Sequence, residues 1–250
     1  FNSFSSDCIG IASCLIELEA PTVSVSAANA YSDTIFINYE DHITPDRLSE
    51  FDATSNKLTT LKSLAARFDA GELEVHQHMA KSADGTEVPY FVIHRKGLKP
   101  DGSTPTILYG YGGFEISLKP GYSGTIGKLW LERGGAYAVA NIRGGGEFGP
   151  RWHKAALKTE RQRAYDDFIA VAKDLAKRGI TSPKHLGISG GSNGGLLVGA
   201  ICTQRPDLLN AVVCRVPLLD MIRYTKLLAG ASSVSYTHLR AHETKAKLGV

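Results

Sequence analysis

No apolar run in the sequence approaches the ~18 to 20 residues that a helix needs to cross a bilayer, so no membrane span is expected. An excess of one charge is also missing: 28 Lys and Arg stand against 25 Asp and Glu, a formal net charge of +3. Without a dense basic cluster interleaved with aromatics, neither nucleic acid nor an anionic membrane surface is an expected partner. Cysteine is scarce. Cys8, Cys14, Cys202 and Cys214 lack the paired short spacings of a zinc site and the density of a secreted disulfide scaffold. They read as buried free thiols of a reducing, cytoplasmic compartment. Methionine is missing from the first position, which Phe1 occupies, so the lack of a leader carries no information about targeting. Apolar residues, by contrast, make up 43% of the 250 positions, enough for the core of one large domain or two smaller ones.

The first seventy or so residues read as β structure. Ile9 to Leu18, Thr22 to Ser26, Thr34 to Tyr39, Arg47 to Phe51 and Lys57 to Leu61 are short β-branched or alternating runs, with a polar turn at Thr54-Ser55-Asn56 between the last two. Strands at this density have the rhythm of a sandwich or of propeller blades. A hairpin follows. Leu73, Val75, Gln77 and Met79 alternate onto one face, Asp84-Gly85 supplies the turn, and Val88 to His94 returns. His76 and His78 share the other face. Two histidines at i and i+2 can chelate a metal, but the sequence sets no third ligand beside them, so they read as solvent-facing and no metal is expected.

From Pro105 onward the pattern changes to strands alternating with helices. Thr106 to Tyr109, Ala136 to Ile142, Leu186 to Ser189 and Ala211 to Val216 are short apolar strands. Tyr165, Phe168, Ile169, Ala172, Leu175 and Ala176 recur at helical spacing, and Gly179 sits where a helix ends. Such a succession predicts a parallel sheet with helices on both faces and active groups at the carboxyl ends of the strands. Tyr111, Arg143 and Ser192 all lie just past such ends.

Gly190-Gly191-Ser192-Asn193-Gly194 matches the nucleophile elbow, in which a serine occupies a strained strand-to-helix turn above a helix N-terminus. Leu186 and Ile188 supply the strand before it; Leu196, Leu197, Ala200 and Ile201 supply the apolar side of the helix after it. In serine hydrolases of this sheet type one oxyanion donor is the backbone N–H after the nucleophile, here Asn193, and another comes from the loop after an earlier strand, here Tyr111. Gly144-x-Gly146-x-x-Gly149 matches a dinucleotide fingerprint by spacing. Pro150 follows it and the acidic candidates Asp166 and Asp167 fall inside a helix, so no nicotinamide, flavin or other cofactor is expected.

The strings Tyr109-Gly-Tyr-Gly-Gly-Phe114, Ala140-Asn-Ile-Arg-Gly-Gly-Gly-Glu-Phe-Gly149 with Trp152-His153, Gly190-Gly-Ser-Asn-Gly-Gly195 and Asp220-Met-Ile-Arg-Tyr224 resemble the prolyl oligopeptidase family of serine peptidases over about residues 70 to 232. The resemblance implies an α/β-hydrolase catalytic domain preceded by a seven-bladed β-propeller. Residues 1–70 would then be its last blade or so, 71–232 the N-terminal part of a catalytic domain whose parallel sheet is truncated at its C-terminal side, and 233–250 an atypical tail. It further implies cleavage of short peptides on the carboxyl side of proline, with Ser192 as nucleophile, Tyr111 and the Asn193 N–H as oxyanion donors and Phe114 in the proline pocket. The complete protein is expected to be a monomer. An esterase or acylaminoacyl peptidase on the same fold, and an inactive truncated hydrolase that binds peptides, are the alternatives.

The pattern breaks after the elbow. In this fold the triad runs Ser, Asp, His, and the residues after Ser192 hold only Asp207, Asp220, His238 and His242. No strand separates Asp220 from His238 or His242 to carry either histidine back to the serine, so the triad Asp and His are read as absent from the chain. Relatives carry a tryptophan where this chain has Ser233, and a junction foreign to the family is expected near that residue.

Overall fold

The computed structural model describes residues 22–27, 29 and 31–226. The expected strand at Ile9 to Leu18, the junction near Ser233, His238 and His242 lie outside the described residues.

The chain divides into two compact units, one around the early strands together with residues 119–132, the other around the later strands and their helices. In the first, β1 (Thr22–Ala27), β2 (Thr34–Glu40), β3 (Arg47–Asp52) and β4 (Lys57–Ser63) form an antiparallel meander in chain order. The polar turn before β4 is built by Asp52, whose carboxylate accepts the N–H groups of Thr54 and Ser55 at 2.9 and 3.4 Å. Asn56 completes it at φ 53°, a conformation that Asn tolerates better than most residues. Ile37, Tyr39 and Phe51 are the buried apolar side chains of β2 and β3. Segment 119–132 adds α1 (Gly124–Leu129), capped by Ser123, whose hydroxyl accepts the Ile126 N–H at 3.3 Å. Tyr122 stacks on Phe68 with ring centroids 4.9 Å apart. The sequence reading contains no α1, because six residues with two glycines carry too little periodicity to register.

The second unit is a six-stranded sheet in the order β10 (Ala211–Arg215), β9 (Leu186–Gly191), β7 (Thr106–Gly110), β8 (Ala136–Ala140), β6 (Glu87–Arg95), β5 (Leu73–Lys81). Its first four strands are mutually parallel, as expected, but β6 runs antiparallel to β8, so the sheet is mixed. The cause is the link from β6 to β7: residues 96–105 contain no crossover helix, and strands joined without one run antiparallel. The expected inner face of β5 is also corrected. Leu73 and Ala80, of opposite parity, are its buried residues, while Met79 is 48% exposed. A strand at the end of a sheet need not have one continuous covered face.

Three helices belong to this sheet: α2 (Pro150–Lys154), α3 (Gln162–Lys177) and α4 (Asn193–Gln204). Phe168, Val171 and Leu175 of α3 are buried in one core with Leu108, Ile188 and Leu197. Gly179, at φ 71°, ends α3 in the left-handed conformation expected of it. The expectation of buried thiols fails for Cys202 on α4 and Cys214 on β10, which are free and exposed, while Cys8 and Cys14 lie outside the described residues. Both lie at the β10 end of the sheet, where Val213 is 54% and Val216 79% exposed.

Asp167, fully buried on α3, is the polar anchor of the unit. Its carboxylate accepts the Arg143 backbone N–H at 3.0 Å, Nε at 2.9 Å and Nη2 at 2.6 Å, and the Ser82 hydroxyl at 2.6 Å. Arg143 also reaches Asp84 in the hairpin turn. Burial alone would disfavour the guanidinium charge, but the two carboxylates outweigh it and hold Arg143 protonated. Asp167→Ala leaves that charge buried with half its partners and costs about 3–5 kcal/mol, measurable by urea unfolding of the chain. The hydrogen bond from Arg143 holds the Asp84 carboxyl well below the usual range. Its contribution to stability is therefore present above the unfolded carboxylate pKa and fades as pH falls through the depressed value; Asp84→Asn flattens that acid limb.

Candidate active site

β9 ends at Gly191 and α4 begins at Asn193, so Ser192 makes the entire turn by itself. It does so at φ 56°, ψ −116°, a conformation a non-glycine residue holds only when its surroundings enforce it. They do: the Ser192 N–H donates to the Arg215 carbonyl at 3.0 Å, and its carbonyl accepts the Leu196 N–H at 3.1 Å. Space is the second constraint. A Cβ on Gly190 would lie 2.1 Å from the Gly194 carbonyl oxygen, so the strand can turn back over the helix only with glycine there. Asn193, as the first residue of α4, has an N–H with no acceptor inside the helix, at its positive end.

The loop after β7 brings Tyr111 to the serine. Burial pushes the Tyr111 phenol above its ordinary pKa, and a hydrogen bond with the Ser192 side chain offsets part of that rise. At neutral pH the phenol therefore keeps its proton. The Asn193 side chain locks the loop, its Nδ2 donating to the Tyr111 carbonyl at 2.6 Å. Gly113 permits that approach, since a Cβ there would sit 2.4 Å from the same nitrogen. Arg161 braces both partners: it donates to the Gly112 carbonyl and, at 3.3 Å, to the Asn193 Oδ1. Phe114 follows at φ 54°, half-buried, its ring centroid 6.5 Å from that of Tyr111. It lies in the loop beside Tyr111 and outside the main core.

The structure thus brings Ser192, Tyr111 and Asn193 together and sets Phe114 next to them. The side-chain role of Asn193 and the bracing by Arg161 are absent from the sequence reading. Arg161 stands in the charged run Lys158-Thr-Glu-Arg-Gln-Arg163, where nothing marks it from its neighbours. Among the described residues, the aspartates that follow Ser192 are paired elsewhere. Asp207 pairs with Arg205 at 2.6 Å and Asp220 with Arg223, and these arginines hold both exposed carboxyls below the usual range. Glu147 supports the loop from below: its Oε1 accepts the Leu118 N–H at 2.9 Å and the Asn141 Nδ2 at 3.2 Å, while burial pushes its carboxyl up.

A serine on a strained strand-to-helix turn, at the carboxyl end of a parallel strand and faced by a phenol and a helix N-terminus, defines the α/β-hydrolase class. The prolyl oligopeptidase family model matches residues 121–244. The chain is 57% identical over 214 residues to an uncharacterized peptidase of Sinorhizobium fredii and 43% identical over 211 residues to a prolyl endopeptidase of Elizabethkingia miricola. Those alignments cover 86% and 84% of the chain, and it spans about 30% of the length of either relative. Among solved structures, a post-proline cleaving enzyme from Rickettsia typhi superposes with a TM-score of 0.77 at 43% identity, over 87% of this chain and 32% of that one. Prolyl oligopeptidase B of Galerina marginata, bound to a 25-residue macrocyclization substrate, gives 0.79 at 32% identity over 86% and 30%. The chain belongs to the prolyl oligopeptidase family.

Proposed function

We propose that this chain is part of a serine endopeptidase that hydrolyses short peptides on the carboxyl side of proline through an acyl-enzyme on Ser192. The observation that carries the reading is Ser192, strained at φ 56° on the strand-to-helix turn, with the Tyr111 loop fastened to that turn by the Asn193 side chain. In the reaction the Ser192 oxygen attacks the scissile carbonyl, and the Tyr111 hydroxyl and Asn193 N–H receive the negative charge that develops on the carbonyl oxygen. Collapse of the tetrahedral intermediate breaks the scissile C–N bond, the amine leaves with the proton taken from Ser192, and water then hydrolyses the acyl ester to release the acid and free Ser192. Phe114 contributes an aromatic wall to the proline pocket. The base that activates Ser192 comes from residues other than Asp207 and Asp220, whose ion pairs with Arg205 and Arg223 commit them elsewhere.

The same reading makes residues 1–70 the last part of a propeller and 71–232 the beginning of the catalytic domain. The four-stranded antiparallel meander β1–β4 has the form of a propeller blade. The intact protein acts as a monomer, and free Cys202 and Cys214 suit a reducing, cytoplasmic setting. A substrate panel on the complete protein tests the assignment. Peptides with proline before the scissile bond are expected to be cleaved, and replacing that proline by alanine lowers kcat/KM by at least about tenfold, the scale of lost pocket contacts. Faster turnover of simple esters or blocked amino acids than of proline peptides overturns it in favour of an esterase or acylaminoacyl peptidase.

A further inference from the structure

We infer that the β5–β6 hairpin carries a site for a divalent transition metal, built from Glu74, His76 and His94. The ligand atoms of these three residues all lie within 4.8 Å of one another. His76 and His94 stack with ring centroids 5.2 Å apart and planes 25° from parallel, and His78 continues the row 5.9 Å beyond His76. The sequence reading stops at His76 and His78 because the third ligand is on the return strand. The turn at Asp84-Gly85 is what brings His94 alongside.

The donor set has the chemistry of such a site. Two imidazoles and one carboxylate suit Zn²⁺, Ni²⁺ or Cu²⁺, and three protein ligands leave a position for water. His94 Nδ1 is 2.8 Å from the Arg95 carbonyl. That contact makes Nδ1 the protonated nitrogen and Nε2 the coordinating one, the backbone-anchored orientation that metal-bound histidines adopt. Burial is graded: His94 is 8% exposed, Glu74 half-buried and His76 exposed, so a solvated ion meets His76 first. Coordination at about 2.0–2.2 Å requires the ligand atoms to close by roughly an ångström, within reach of side-chain rotation on two paired strands. The site is remote from Ser192. β7, β8 and β6 stand between β9 and β5, which at about 4.8 Å per strand separates the two by roughly 19 Å. Its role is therefore to clamp the hairpin, not to take part in acyl transfer.

Isothermal titration of the 250-residue chain with ZnCl₂ and NiCl₂, with His238 and His242 both replaced by alanine to remove that histidine pair, tests the inference. One equivalent is expected to bind saturably and to raise the thermal midpoint. His76→Ala, at an exposed position, weakens binding at least about tenfold and removes the thermal shift, with far-UV circular dichroism unchanged. Glu74→Gln weakens it to a lesser degree, and His78→Ala leaves it intact. Absence of saturable binding up to about 1 mM metal, equal binding by His76→Ala, or a loss in His78→Ala as large as in His76→Ala overturns the proposed ligand set.

Discussion

Offered a fluorophosphonate at neutral pH, the 250-residue chain labels Ser192 on the order of a millionfold more slowly than a relative with a positioned histidine, the cost of removing a triad base. A serine hydroxyl is a weak nucleophile until its proton has somewhere to go. Both aspartates that follow Ser192 are exposed and tied to arginines two or three residues away, Asp207 to Arg205 and Asp220 to Arg223. Neither is placed to orient a histidine against the serine. The elbow and the proposed oxyanion donors remain, so the rate is not expected to fall to that of free serine: oxyanion stabilisation and binding alone sustain about 10³ to 10⁴ over water in such sites. Ser192→Ala removes the residual labelling. Mass spectrometry of the labelled peptide against time reads both. Stoichiometric modification of Ser192 within minutes would show that a base reaches it from within this chain and overturn the assignment.

The features legible in the sequence were those whose physics is local. Ser192 stood out because a left-handed turn between an apolar strand and a small-residue helix demands glycines around it, and the glycines are visible. The hairpin turn at Asp84-Gly85 and the end of α3 at Gly179 were legible for the same reason, since both hold positive φ. What was hidden depends on partners far apart in the chain. Asp167 reads as one more polar position on a helix, yet it is fully buried because Arg143, on another element, neutralises it. Arg161 gives no signal until β7 and α4 place Gly112 and Asn193 in front of it. Periodicity reports which side of an element is apolar, not which polar group will be matched there. The same limit explains β5, whose alternation implied one buried face, and the cysteines, whose scarcity implied burial. Each outcome was decided by the position of the strand or helix at a margin of the sheet.

Tyr111→Phe in the complete protein is expected to lower kcat by about 100 to 1,000-fold while KM changes little, the effect of losing one oxyanion donor. The geometry gives the reason for the split. The Tyr111 ring is held by the loop that the Asn193 side chain fastens at its carbonyl, with Arg161 bracing the neighbouring Gly112, so phenylalanine fills the same space and the loop keeps its path. Only the hydroxyl is lost, the group that the proposed mechanism sets against the developing oxyanion. A donor that acts on a developing oxyanion contributes to the transition state more than to the bound substrate, so its removal appears in kcat. The pH profile supplies a second readout. Burial raises the Tyr111 phenol above its ordinary value, so the hydroxyl stays protonated throughout the neutral range and the substitution moves no limb of the profile near pH 7. Steady-state kinetics on a proline peptide, with the thermal midpoint measured alongside, separates this from a packing defect. A rise in KM with kcat unchanged would assign Tyr111 to substrate packing and leave the Asn193 N–H as the remaining proposed donor.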